Sequence, residues 1–153
     1  MAYETTEVAV SKSQDAIRKL IYAHRGTGLM LVSRPPQEGF EAFITLAETP
    51  YHIRIMATTK DQHLDKNGWS RSDSAYERAR EQEERRVWRV LYWHLKALFE
   101  ATDSGVIDLR NVIMPYVVLR DGMTLADHVK PKLPILMTLD PAHLLPVSAE
   151  DSQ

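Results

Sequence analysis

The chain contains no cysteine. That excludes disulfides, thiolate metal ligands and a cysteine nucleophile, and it fits a reducing compartment. No apolar run comes near the ~18 residues needed to cross a bilayer. The first residues, Met1 to Gln14, lack the basic start and apolar stretch of a secretory signal. The expectation is a soluble protein with no membrane contact. There is also no large excess of either charge: 19 Lys and Arg stand against 21 Asp and Glu, a net charge of −2. A globally basic nucleic-acid binder is thereby excluded, and any basic surface has to be local. Catalytic signatures are missing as well. There is no Gly-x-Ser-x-Gly elbow, no His-Glu-x-x-His and no phosphate-loop lysine. The one adjacent carboxylate pair on the long helix, Glu83-Glu84, would point in two directions. The sequence therefore predicts no catalytic residue, no metal ligand and no cofactor, and the chain is not expected to be an enzyme.

The 153 residues are 44% hydrophobic and 26% charged, ordinary values for one globular domain with a real core. Charge is unevenly spread. Residues 1–60 carry seven cations and six anions, residues 61–100 eight of each, and residues 101–153 four cations and seven anions. Prolines 131, 134, 141 and 146 crowd the end of the chain. Residues 1–130 are accordingly expected to form a single α+β domain, and residues 131–153 a proline-rich, extended and partly disordered tail.

Periodicity supplies the elements. Thr5 to Val10 alternates like a short strand. Ser11 and Gln14 have the spacing of a capping box at the start of a helix over Lys12 to Ala23, which Gly26 and Gly28 would end. Leu29 to Ser33 and Phe40 to Ala47 read as strands around a turn from Arg34 to Gly39. After a break at Thr49-Pro50, Tyr51 to Thr58 reads as another, with Ile53 and Ile55 facing in. Short links make these three an antiparallel meander. Lys60 to Ser74 is a polar loop holding Asn67-Gly68 and Trp69. A helix of unusual length follows from Ser74, its expected N-cap, to Thr102. Asp108 is placed to cap a helix through Leu109 to Met114, Asp121-Gly122 forms a turn, and Thr124 to Val129 forms a last short helix. The predicted fold is β-α-β-β-β-α with a small C-terminal helical extension.

The long helix carries the main functional signal. At 100° per residue, Arg78, Arg85, Arg89 and Lys96 fall within about 20° of one line, and Tyr92 and Trp93 within about 60° of it. Phosphates are attracted to such a stripe, and unpaired bases stack on such rings. The same stripe also reads as a solvated face, since Glu81 precedes Arg85 by four residues, a stabilising helical spacing. Opposite the stripe, Tyr76, Val87, Val90, Leu91, His94, Leu95 and Leu98 form the expected core face. Trp88, Leu95 and Phe99 lie to one side of it, which suggests a surface for a homodimer. A second basic position, Arg54, shares a strand face with His52 and Met56. With Phe43 it would make a sheet platform for single strands if that face is open.

Other constellations read as structural. His94 is expected to be a hydrogen-bonded core residue. Asp61, His63, Asp65 and Asn67 alternate like metal ligands but miss the EF-hand register and read as a polar loop. Arg25-Gly26-Thr27-Gly28 follows a helix, whereas phosphate loops follow a strand.

Several short motifs resemble an uncharacterised family of small tailed-phage and prophage proteins. They are Thr5, Glu7 and Val8 with the helix after them, Thr49-Pro50-Tyr51 with Arg54, and Glu84-Arg85-Arg86-Val87-Trp88-Arg89 with Trp93. Gly105, Met114-Pro115-Tyr116 and Asp121-Gly122-x-Thr124-Leu125 complete the set. The similarity spans roughly residues 4–129. It implies a viral protein working in the bacterial host cytoplasm and transfers no catalytic residue. The expected function is nucleic-acid binding in DNA replication or recombination, of single-stranded DNA in particular, through Arg78, Arg85, Arg89, Tyr92, Trp93, Lys96 and Arg54. The alternative is a non-enzymatic protein-interaction module that modulates a host or phage protein.

Overall fold

Apolar alternation in three successive segments builds a three-stranded antiparallel meander, and a single long helix closes over one side of it. The computed structural model describes residues 3–137. Its elements in chain order are α1 (Val10–Ala23), β1 (Gly26–Arg34), β2 (Gln37–Leu46), β3 (Thr49–Thr58), α2 (Asp73–Asp103), α3 (Leu109–Ile113), α4 (Leu125–Val129) and α5 (Leu133–Leu136). Short 3-10 turns lie at Met114–Tyr116 and Lys130–Lys132. The sheet order is β1-β2-β3, with every neighbouring pair antiparallel. The α+β class, the meander, the long helix and the small C-terminal helices follow the sequence reading.

The inner sheet face carries Phe40, Ala42 and Ile44 of β2 with Ile53 and Ile55 of β3, all buried. Ile17 and Ile21 of α1 and Val87, Trp88, Leu91, Leu95 and Phe99 of α2 complete the same core. Two tight links fix the meander. Pro35 and Pro36 turn β1 into β2 beyond the Arg34–Gln37 pair. Ala47 and Glu48, both at positive φ, turn β2 into β3.

Several boundaries differ from the sequence reading. Thr5 to Val10 is not a strand: the chain turns, then enters α1 at Val10. A strand persists only when its backbone is paired. Here the Gln82 side-chain amide donates to the carbonyls of Glu4 and Thr6, each at 3.0 Å, and ties the segment to α2 instead. Ser11 caps nothing. The N-cap of α1 is Ala9, without a side-chain hydrogen bond. Gly26 and Gly28 lie inside β1, and the left-handed residue after α1 is Arg25, at φ 65°. Gly26 is needed for room: a Cβ there would stand 2.3 Å from Ile21 Cγ2 and 2.5 Å from its carbonyl oxygen.

Helix α2 starts at Asp73, capped by the Ser72 hydroxyl rather than by Ser74, and Asp73 suits the positive end of the helix. Its buried residues, Glu83, Val87, Trp88, Leu91, Leu95 and Phe99, define an arc rotated by about 50° from the expected one, towards Tyr92. The rotation has a cause. Helix α1 packs alongside α2, so the buried arc is the sum of a sheet contact and a helix contact. Val90 and His94 therefore face solvent, while Trp88 and Phe99 are fully enclosed. Trp88, Leu95 and Phe99 thus offer no surface to a second copy.

At the C-terminal side, Asp108 caps α3 and Thr124 caps α4 through a full capping box. Residues 131–136, expected to be extended, instead complete a 3-10 turn that begins at Lys130 and form one turn of helix. From residue 138 onward the predicted tail lies outside the described residues. Among the described residues no helix is long and apolar enough to cross a membrane.

Candidate nucleic-acid interface

The four cations of the stripe all reach solvent along α2. Arg78 is exposed and Arg85, Arg89 and Lys96 are half-buried. Arg78 donates to the Ser74 carbonyl at 3.3 Å. Arg85 stands 3.9 Å from Glu81, and Lys96 3.4 Å from Glu100, in both cases one turn away. Pairs of this exposed kind contribute about 0.5 kcal/mol or less. Arg89 has no carboxylate partner among the described residues. Its guanidinium lies 4.9 Å from the Tyr92 ring centre and 5.1 Å from that of Trp93, and the Lys96 ammonium lies 4.8 Å from the Trp93 ring.

The structure therefore brings Arg89, Tyr92, Trp93 and Lys96 into one cluster, with Arg85 and Arg78 continuing the line. The rings are less free than the cations. Tyr92 packs against the core, and Trp93 is stacked by Tyr3 at 6.4 Å between ring centres. Trp93 also meets Tyr92 edge-on.

Arg54 belongs elsewhere. It sits on the outer sheet face, where its Nε donates to Glu41 at 2.7 Å and its Nη1 to the Gly122 carbonyl at 2.8 Å. Glu41 also pairs with His52 at 2.6 Å. Burial alone would raise the Glu41 carboxyl, but hydrogen bonds from Arg54 and His52 outweigh it and hold it below the ordinary carboxylate range.

This outer face is open, because the helices pack on the other one. Phe43 is 46% exposed and stacks on His52 at 4.7 Å, and Met30, 55% exposed, lies diagonally from it on β1. Gly28 stands opposite Phe43, where a Cβ would make an ordinary contact with the ring at 3.6 Å. The free edge of β3 is partly covered: the Val118 N–H donates to the His52 carbonyl, and Val117 bridges to Ile53.

The remaining candidates take structural places. His94 is exposed rather than buried, and its ring bonds to the Tyr116 hydroxyl at 2.7 Å. In the loop, Asp61 pairs with His63, and the Asp65 carboxylate accepts from the N–H groups of Asn67 and Trp69. Among the described residues no group of three or more His, Asp or Glu is placed to hold a metal.

One site went unseen in the sequence. Glu38 falls within the turn expected over Arg34 to Gly39, yet it lies in β2 on the same face as Phe40 and is 2% exposed. Extending the strand alternation back to Gln37 would have marked a carboxylate on the core side. Beside it, between the Pro35-Pro36 turn and the start of α2, is a cavity of about 490 Å³. No protein-family model, curated protein or solved structure matches the chain.

Proposed function

We propose that this chain is a nucleic-acid-binding accessory protein of a phage or prophage, serving DNA replication or recombination in the host cytoplasm and binding single-stranded DNA. The observation that supports it most is the alternation of cations and rings on α2, from Arg78 and Arg85 to the Arg89–Tyr92–Trp93–Lys96 cluster. Among the described residues none of these cations is held in a buried ion pair. Phosphate oxygens can replace the exposed partners Glu81 and Glu100 at little cost. A base would stack by taking the place of Arg89 or Lys96 on a ring. Arg54, committed to Glu41 and Gly122, contributes to a second contact on the sheet rather than to this one. The proposal contains no catalytic step.

The test is fluorescence anisotropy with labelled single- and double-stranded DNA at low and moderate salt. Binding should weaken with salt and favour the single strand. An Arg85→Ala/Arg89→Ala variant should bind more weakly and lose ~1.4 from the slope of log affinity against log salt, ~0.7 for each phosphate contact on single strands. Absence of binding by the folded protein at low salt would overturn the reading.

The second reading, a module that modulates a host or phage protein, is favoured by the outer sheet face, where Met30 and Phe43 form an exposed apolar pair. It predicts salt-insensitive co-purification with a bacterial protein. A homodimer would have to use such a face too, and light scattering measures it directly.

A further inference from the structure

The cavity beside Glu38 has an unusual wall. The Glu38 carboxylate is 2% exposed, and its only hydrogen-bond donors among the described residues are neutral: the Ser33 hydroxyl at 2.9 Å and the Trp88 indole N–H at 3.2 Å. Each takes a different oxygen, so each oxygen keeps a lone pair in hand. The α2 charges that line the cavity are already engaged with other α2 side chains. Arg80 is held by Glu77 at 3.1 Å and lies 3.9 Å from Glu84. Glu83 is clamped by two hydrogen bonds from Arg86, both 2.7 Å, and takes the Lys60 N–H. Glu38 is thus a buried acceptor with no ion-pair partner among the described residues, at a cavity of about 490 Å³ where Pro35, Pro36 and Tyr76 supply apolar wall beside the charged side chains of Lys60, Arg80 and Glu84. That volume lies in the range of ligand sites, and an unpaired buried carboxylate is costly unless a cation meets it.

We infer that this cavity binds a small organic cation, an alkylguanidinium or alkylammonium group whose charge meets Glu38 while its aliphatic stem lies against Pro35, Pro36 and Tyr76. A free amine and an arginine or lysine side chain of another protein share this chemistry. The site is separate from the α2 stripe and does not depend on it.

The test follows the Trp88 indole N–H resonance in the ¹⁵N-labelled protein as butylguanidinium is added, with neutral butylurea as the isosteric control. The Trp88 signal should shift saturably while those of Trp69 and Trp93 stay in place. Butylurea should bind at least about tenfold more weakly, and Glu38→Gln should weaken the cation by a similar factor. If Glu38→Gln does not fold, Thr58→Phe, which adds a ring to the lining of the cavity and leaves Glu38 intact, should abolish the shift. A capped Gly-Arg-Gly peptide separates the sources: binding as tight as butylguanidinium assigns the cation to a protein side chain, and weaker binding to a free small molecule. No saturable shift at millimolar butylguanidinium, equal binding of butylurea, or an unaltered titration in Thr58→Phe would each overturn the inference.

Discussion

Trp88 and Glu38 join α2 to β2 by one hydrogen bond of 3.2 Å inside the core, from an indole that is fully buried to a carboxylate that is nearly so. The pair couples the long helix to the central strand, and it makes the protonation of one side chain a property of the fold.

Burial raises the Glu38 carboxyl above 4.5, and the charge of Glu84 adds to the effect; the bonds from Ser33 and Trp88 oppose it without cancelling it. The folded state therefore binds this proton more tightly than the unfolded chain does. Stability from this group is complete below about 4.5 and is lost as pH rises through the elevated value. Urea unfolding from pH 4 to 8 should show wild type losing ground to Glu38→Gln as pH increases. A constant difference between the two proteins across that range would contradict the assignment.

Glu83 behaves in the opposite sense. Burial would raise it, but the hydrogen bonds from Arg86 and the Lys60 N–H prevail and hold it below 4.5. Its contribution is present above 4.5 and falls away as the solution is acidified through its lowered value. Arg86→Ala leaves a 7% exposed carboxylate with one backbone donor. The expected loss is about 2 kcal/mol at neutral pH, shrinking towards pH 4, as measured by chemical denaturation. Glu83→Gln/Arg86→Ala together should cost less than Arg86→Ala alone.

Ser13 lies on the buried side of α1, with no accessible surface and no partner for its hydroxyl among the described residues. Desolvating an unpaired hydroxyl costs about 1 kcal/mol. Alanine also has the better helix propensity. Ser13→Ala should therefore stabilise the protein and raise its melting temperature by roughly 2–4 °C. Calorimetry showing a lower temperature would mean that the hydroxyl is satisfied after all.

Gly39 of β2 stands opposite Met56 of β3. A Cβ there would stand 2.2 Å from the Ile55 carbonyl oxygen and 2.8 Å from Met56 Cα, both backbone atoms that cannot step aside. Gly39→Ala should cost about 2–3 kcal/mol by forcing the strands apart. Its amide spectrum should show the largest changes along β2 and β3. Gly68→Ala is not opposed by neighbours, and its cost comes only from a φ of 82°.

Much of this architecture was legible in the sequence because it rests on local physics. Alternation over Phe40, Ala42 and Ile44 and over Ile53 and Ile55 marked the inner sheet face, and their burial follows that pattern. Asp108 and Thr124 announced two helix starts, since a side-chain cap needs only its own next turn. The basic line Arg78–Arg85–Arg89–Lys96 is a matter of helical spacing alone.

What tertiary structure decided is whatever depends on a neighbour far along the chain. Thr5 to Val10 has a strand's alternation but no strand to pair with, and Gln82 claims its carbonyls. By helical periodicity alone Trp88 and Phe99 lie to one side of the core face of α2. Helix α1 supplies a second direction and encloses both. Glu38, placed in a turn by the two prolines before it, becomes a core-facing carboxylate only once β2 pairs with β1 from Gln37 onward and Trp88 comes down upon it. Periodicity fixes which residues share a face, but which face is buried, and against what, is set by contacts between segments that no local pattern encodes.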